Sequence, residues 1–116
     1  MPDNKTTIAQ LKRLVNDFVD RRDWHQFHSP KNLAMSLAIE AAELMEHFQW
    51  ITVEESRRAA EEPDELDEIA DEVADVFCYL LALGNELNLD LSQAVRRKMA
   101  KNEKKYPAKR FRGRAK

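Results

Sequence analysis

Apolar residues recur at helical spacing through most of this chain, interrupted at a few well-marked points. From about Thr6 to Arg22, Ile8, Leu11, Leu14, Val15 and Phe18 fall on one face and predict a first amphipathic helix. The segment from Asp23 to His28 breaks that pattern and is unusually aromatic for a connection. Ser29-Pro30 reads as a helix start, Ser as N-cap and Pro at the first helical position. The second helix is predicted to reach about Trp50 on a stripe of Leu33, Leu37, Ala41, Leu44 and Phe48. Thr52 to Glu55 has capping-box spacing and predicts a short helix in the connector. Pro63 opens a third helix that runs through Leu83 toward Leu87, with Leu66, Ile69, Val73, Val76 and Leu80 as its stripe. Gly84 fits a close helix contact, a bend or an end. Asp90 or Ser92 caps a fourth helix reaching about Lys105, where Pro107 follows. The fold class is all-α.

The polar positions carry the chemistry. Two pairs of acids stand three residues apart, Glu40 with Glu43 and Glu72 with Asp75, with 28 residues between the pairs. Residues at this spacing share a helix face about one turn apart. On the second helix Glu40, Glu43 and His47 form a row beside the apolar stripe, which Trp50 continues. On the third, Glu68, Glu72, Asp75 and Tyr79 line the flank of its stripe. Glu46 and Asp71 face further away. Four carboxylates brought together repel unless a cation sits among them. An all-oxygen set favours Mg²⁺, or Mn²⁺ in its place, over iron or zinc, and Mg²⁺ keeps waters that a phosphate can displace. The alternative is an ordinary solvated acidic face. A di-iron bundle uses Glu-x-x-His on two helices, a pattern His47 does not meet. With no Gly-rich phosphate loop, metal and cationic side chains would have to hold any phosphate.

Composition narrows the class further. At 116 residues, 43% apolar, 34% charged and with two glycines, the chain is one domain of helical type. Cys78 stands alone, so no internal disulfide forms and a reducing cytoplasm is expected. Cys78 and the methionines read as core. The first ten residues carry no apolar signal segment, and no run is long enough to span a membrane. The net charge of −2 hides a segregation. Residues 1–95 hold 8 basic and 20 acidic side chains, while residues 96–116 hold 11 basic residues and the single acid Glu103. Lys98, Asn102 and Lys105 share a face of the last helix, which suits a triphosphate as well as it suits solvent. The acidic body argues against stable nucleic-acid binding.

The residues that carry these features also resemble a known family. E-x2-E, a long spacer and E-x2-D are similar to the signature of the all-α nucleoside triphosphate pyrophosphohydrolases, the MazG-like superfamily. RDWHQFHSPKNLAMSLAIEAAELMEHFQW, DEIADEVADVFCYLLAL and the KM and KKYP elements resemble its dCTP pyrophosphatase branch. The resemblance implies a MazG-like four-helix bundle over residues 1–107, assembled as a homodimer or a homotetramer of paired dimers, with residues 108–116 as a flexible basic tail. It implies Mg²⁺-dependent cleavage of a dNTP, with dCTP giving dCMP and pyrophosphate, in nucleotide-pool cleansing. By motif position Glu40, Glu43, Glu72 and Asp75 would bind metal. One carboxylate, with Glu43 the first candidate, could act as general base on the attacking water, since the sequence does not separate ligand from base. Trp24, His28, Trp50 and Tyr79 would enclose base and sugar. Lys98, Asn102 and Tyr106 would approach the phosphates. Broader dNTP, dUTP or modified-nucleotide hydrolysis, and a non-catalytic helical interaction module, are the rival expectations.

Overall fold

The computed structural model describes residues 1–115, and every regular element among them is helical. Helix α1 spans Ile8–Arg21 and begins with a reciprocal capping box between Thr7 and Gln10. Helix α2 spans Pro30–Glu46, with the Ser29 hydroxyl accepting from Asn32 N at 3.1 Å. It stops short of Trp50. His47 is its C-cap, and Phe48 N turns back to donate to Met45 O at 3.0 Å. The chain must leave the helix here because Thr52 caps the next one, α3 (Val53–Arg57), with a complete capping box through Glu55. Helix α4 spans Pro63–Glu86, α5 spans Leu91–Lys105 and the short α6 spans Ala108–Phe111. Asp90 is the cap of α5, its carboxylate accepting from Gln93 N at 2.9 Å.

Two helix ends that lack glycine are closed by acid or amide residues in the left-handed region. After α4, Asn88 at φ 54° lets Leu89 N donate back to Gly84 O at 2.8 Å and Asn88 N to Asn85 O at 3.3 Å. After α1, Asp23 at φ 53° lets Trp24 N donate to Val19 O at 3.1 Å and Asp23 N to Asp20 O at 3.0 Å. These are paired Schellman closures, with Asn and Asp where glycine is commoner.

Helix α4 is the spine. Helix α2 packs along it, and α1 packs against it as well. Val19, Leu33, Leu81 and Ala82 are buried at this junction. Truncating Leu33, which is 2% exposed, would cost about 2–5 kcal/mol. Gly84 proves to be a close contact within α4: a Cβ there would lie 3.0 Å from Leu91 Cδ1 at the start of α5. The α1 side of this corner is tied by Lys12 Nζ donating to Leu89 O at 2.6 Å and Asn85 Nδ2 donating to Lys12 O at 3.0 Å.

Beyond Leu91, α5 is not among the closely packed helices. The radius of gyration is 17.1 Å, against about 13 Å for a compact chain of this length. A groove of about 790 Å³ between α4 and α5 is lined by Phe77, Leu80, Leu91, Val95 and Met99. Val95 is 62% exposed and Met99 52%, so apolar side chains along this groove face solvent. In the expected tail, α6 places the Phe111 ring edge-on to Tyr106 at 5.3 Å; Lys116 lies outside the described residues. Among the described residues no helix is long and apolar enough to cross a membrane.

Candidate active site

The packing of α2 on α4 brings the two acid pairs together. Carboxylate oxygens of Glu40, Glu72 and Asp75 all lie within 4.8 Å of one another. Glu40 Oε2 and Glu72 Oε2 are buried and have no hydrogen-bond partner in the protein, an arrangement that costs free energy unless something supplies a positive partner. Glu43 completes the set. Hydrogen bonding to the Glu43 carboxyl, then burial and the neighbouring charges, pushes Glu40 up to about 7. Burial, followed by the charges of Glu43 and Asp75, raises Glu72. Without a cation, Glu40 and Glu72 are both harder to ionise than an isolated acid. Oxygen donors of this kind suit a hard divalent cation, so the residues present fit a metal ion.

Next to them lies an aromatic cavity of about 290 Å³, with Trp24, His28, Asp75 and Tyr79 in its wall. Asp75 and Tyr79 come from successive turns of α4. Trp24 and His28 come from the connection after α1, and the left-handed turn at Asp23 explains how they reach the site. It sends the chain back across α1, and Trp24 meets Phe18 edge-on at 5.8 Å, the apolar contact that commonly accompanies this closure. The Trp24 and His28 rings lie 6.4 Å apart. His28 Nδ1 is a third buried polar atom with no partner in the protein. Asp75 therefore joins acids to cavity: it stands with Glu40 and Glu72 on one side and lines the cavity of Trp24, His28 and Tyr79 on the other.

The other expected site residues lie elsewhere on this chain. Trp50 sits beyond the end of α2, is 86% exposed and does not line the cavity. Lys98 borders the apolar groove, and Asn102 Nδ2 donates to Met99 Sδ at 3.8 Å. Tyr106 packs on Phe111. None of these three lines the cavity beside the acids. Cys78 is not core: it is exposed and forms part of the cavity wall, where partial desolvation by its neighbours, then the Asp75 charge, raises its pKa. Cavity walls from α1, Val15 and Phe18 among them, read as plain core in the sequence. Only packing distinguishes a core face from a pocket face.

A model of the MazG-like family matches residues 35–116. The chain belongs to the MazG-like family. Relatives of this MazG-like chain include dCTP pyrophosphatase 1 of Bos taurus, 40% identical over 112 residues that cover 97% of this chain and 66% of that protein. The Homo sapiens dCTP pyrophosphatase 1 is 41% identical over 102 residues, covering 88% of this chain and 60% of that one. The chain thus spans just under two thirds of the length of the first of these curated relatives and less of the second. A pyrophosphatase of known structure from Archaeoglobus fulgidus superposes with a TM-score of 0.78 at 39% identity, covering 92% of this chain and 98% of that one. The all-α architecture expected from sequence is the architecture found.

Proposed function

We propose that this chain is a Mg²⁺-dependent nucleoside triphosphate pyrophosphohydrolase that cleaves the α–β phosphoanhydride of dNTPs, with dCTP the preferred substrate and dCMP and pyrophosphate the products. The observation that carries the reading is Asp75 standing between two unpartnered acid oxygens and a cavity that holds the unpartnered His28 Nδ1. On one side are the oxygens of Glu40 and Glu72; on the other is the cavity of Trp24, His28 and Tyr79. The likeness to dCTP pyrophosphatases over most of the chain supports it.

Glu40, Glu72 and Asp75, with Glu43, would hold Mg²⁺, with Mn²⁺ as a substitute. When bound, the cation neutralises charge on the phosphate oxygens and helps to orient an in-line water. Glu43 is the general base: its carboxylate takes a proton from the attacking water while the bridging oxygen leaves with pyrophosphate. Trp24 stacks the base, His28 Nδ1 offers it a hydrogen bond, and the Tyr79 hydroxyl orients the sugar. Trp50 closes over the nucleotide.

A second copy of this chain completes the site. Lys98 and Asn102 stand on the open helix α5 and Tyr106 just after it, outside the cavity beside the acids of their own chain, and the groove beside Lys98 is apolar and exposed. A homodimer or a homotetramer of paired dimers would cover that groove and carry the basic face of α5 to a partner's phosphates. The setting of this reading is cytoplasmic nucleotide-pool cleansing.

A broader dNTP or dUTP activity is the second reading, favoured by the Val15, Phe18 and Val19 side of the cavity, because an apolar wall discriminates weakly between similar bases. Product analysis on a panel of dNTPs and NTPs with and without Mg²⁺ tests both. Monophosphate plus pyrophosphate from dCTP, strictly dependent on metal, is expected. Equal rates on all pyrimidines would favour the second reading. No turnover on any triphosphate would leave the interaction module instead.

A further inference from the structure

We propose that His25 is a positioning residue for nucleotide binding: its hydrogen bond to Glu86 clamps the aromatic connection against the face of α4 that carries Asp75 and Tyr79. The inference rests on the nucleotide reading above and adds to it a residue that lies outside the cavity.

The connection carries both Trp24 and His28, with His25 between them. Most of its bonds are local. Phe27 N donates to Trp24 O at 2.9 Å, His28 N donates to His25 O at 3.1 Å, and Asn32 Nδ2 donates to Phe27 O at 3.1 Å. Local bonds fix the shape of a loop but leave its placement on the body of the protein open. Among the described residues one hydrogen bond joins this connection to α4, from His25 Nδ1 to Glu86 Oε1 at 2.7 Å, across 61 residues of sequence. Its short distance and charged acceptor place it among the stronger hydrogen bonds.

Glu86 is well placed to transmit the clamp. Asp75, Tyr79, Ala82 and Glu86 lie on one stripe of α4 by their spacing. His25 and Glu86 also line, together with His28 and Ala82, a gap behind the cavity that is too small to hold water. A shift of the connection away from Glu86 would therefore move His28 and Trp24 relative to Tyr79. On its other side, the His25 Nε2 atom lies 3.6 Å from Asp20 Oδ1 at the end of α1. The fold does not depend on the clamp, because the His25 side chain is 38% exposed and the junction of α1 with α4 is held by buried Val19, Leu81 and Ala82.

Steady-state kinetics with dCTP and Mg²⁺ on the full chain, alongside thermal melts, test this. His25→Ala and Glu86→Ala should each raise KM about tenfold with kcat within about twofold of wild type, the pattern of lost uniform binding. The double variant should be no worse than either single one, since one contact is being removed twice. His25→Asn, whose amide nitrogen sits near the position of Nδ1, should return KM to within about threefold of wild type. An active wild type whose KM is unmoved in His25→Ala, or whose kcat alone falls, overturns this inference and leaves the proposed function standing. A wild type that hydrolyses no triphosphate overturns both.

Discussion

Helices α2 and α4 carry two acidic clusters one turn apart, and they solve the same electrostatic problem in different ways. At the outer one, His47, Glu65 and Glu68 place donor atoms within 4.8 Å of each other. There His47 Nδ1 bonds Glu65 Oε1 at 3.2 Å, and no atom of the three is buried without a partner. At the inner one, Glu40 and Glu72 each keep a buried oxygen with no partner, and both are harder to ionise than usual. The outer Glu65 is satisfied by His47, and Glu68 is exposed to water. The buried oxygens of Glu40 and Glu72 have no partner in the protein, and a proton or a cation could supply one. Spacing alone could not separate the two, since both set acids beside an apolar stripe; what separates them is that Glu65 finds an internal partner in His47 while the buried oxygens of Glu40 and Glu72 find none.

Mutations should divide along that line. Glu40→Ala or Asp75→Ala is expected to lower kcat for dCTP by about a thousandfold or more, the scale on which removing electrostatic stabilisation acts. Glu65→Gln should stay within about threefold of wild type, and Glu46→Ala, which faces away from the inner cluster, should do the same. Measured turnover near wild type in Glu40→Ala would end the proposed role of the inner cluster. Heavy loss in Glu65→Gln would mean that the two clusters act as one.

Metal binding sharpens the contrast without relying on activity. Mg²⁺ at about a hundred times its Kd would stabilise the native state by about 2.7 kcal/mol, a rise in Tm of several degrees for a domain of this size. Thermal melts with EDTA or Mg²⁺ should show that rise in wild type and in His47→Gln. It should disappear in Asp75→Asn. A rise that survives in Asp75→Asn and disappears in His47→Gln would move the metal site to the outer cluster.

How far the sequence reached follows from what kind of information each feature needs. The helices were legible because periodicity and capping are local: Thr7, Ser29, Thr52 and Asp90 all cap as their residue types suggest. The end of α2 was not, since the apolar pattern runs on through Phe48 while the cap at Thr52 forces the chain out of the helix earlier. The inner acids were legible because their spacing and their border with the core agree. Glu65 was missed because it pairs with His47 across helices, and no spacing within one helix reports that. His25 and Glu86 are 61 residues apart and belong to no motif. Cys78 was misjudged because a small apolar residue beside a stripe looks the same whether it faces a neighbour or a pocket.

Acidity should also distinguish the clusters. The inner Glu40 has its carboxyl raised from 4.5 in the unfolded chain to about 7 in the metal-free fold. Between those values the native state holds a proton that the unfolded chain has released, so this contribution to stability is full below about 4.5 and lost as pH rises through about 7. Tm measured in EDTA across this range should fall less steeply with rising pH in Glu40→Gln than in wild type. Mg²⁺ should bind more tightly as pH rises, because it competes with that proton. A pH dependence identical in Glu40→Gln and wild type would show that the inner acids ionise freely and need no cation.

The smallest effect belongs to the outer cluster. The His47 side chain is 18% exposed but its partner Glu65 is 44% exposed, so water screens their contact and leaves it worth about 0.2–1 kcal/mol. His47→Ala also loses whatever the ring packs against near Phe48 and Ile51, residues that share a cavity wall with it. Glu65→Gln isolates the contact better, because an amide of the same shape keeps the packing and an oxygen that can accept from His47. Denaturant unfolding of the two variants should therefore show a loss of under about 1 kcal/mol for Glu65→Gln and a larger one for His47→Ala, with turnover little changed in either. A Glu65→Gln variant as unstable as His47→Ala would mean that the carboxylate charge itself holds α2 to α4. The outer acids would then be as constrained as the inner ones, and pairing with His47 would be a requirement of the fold instead of a convenience.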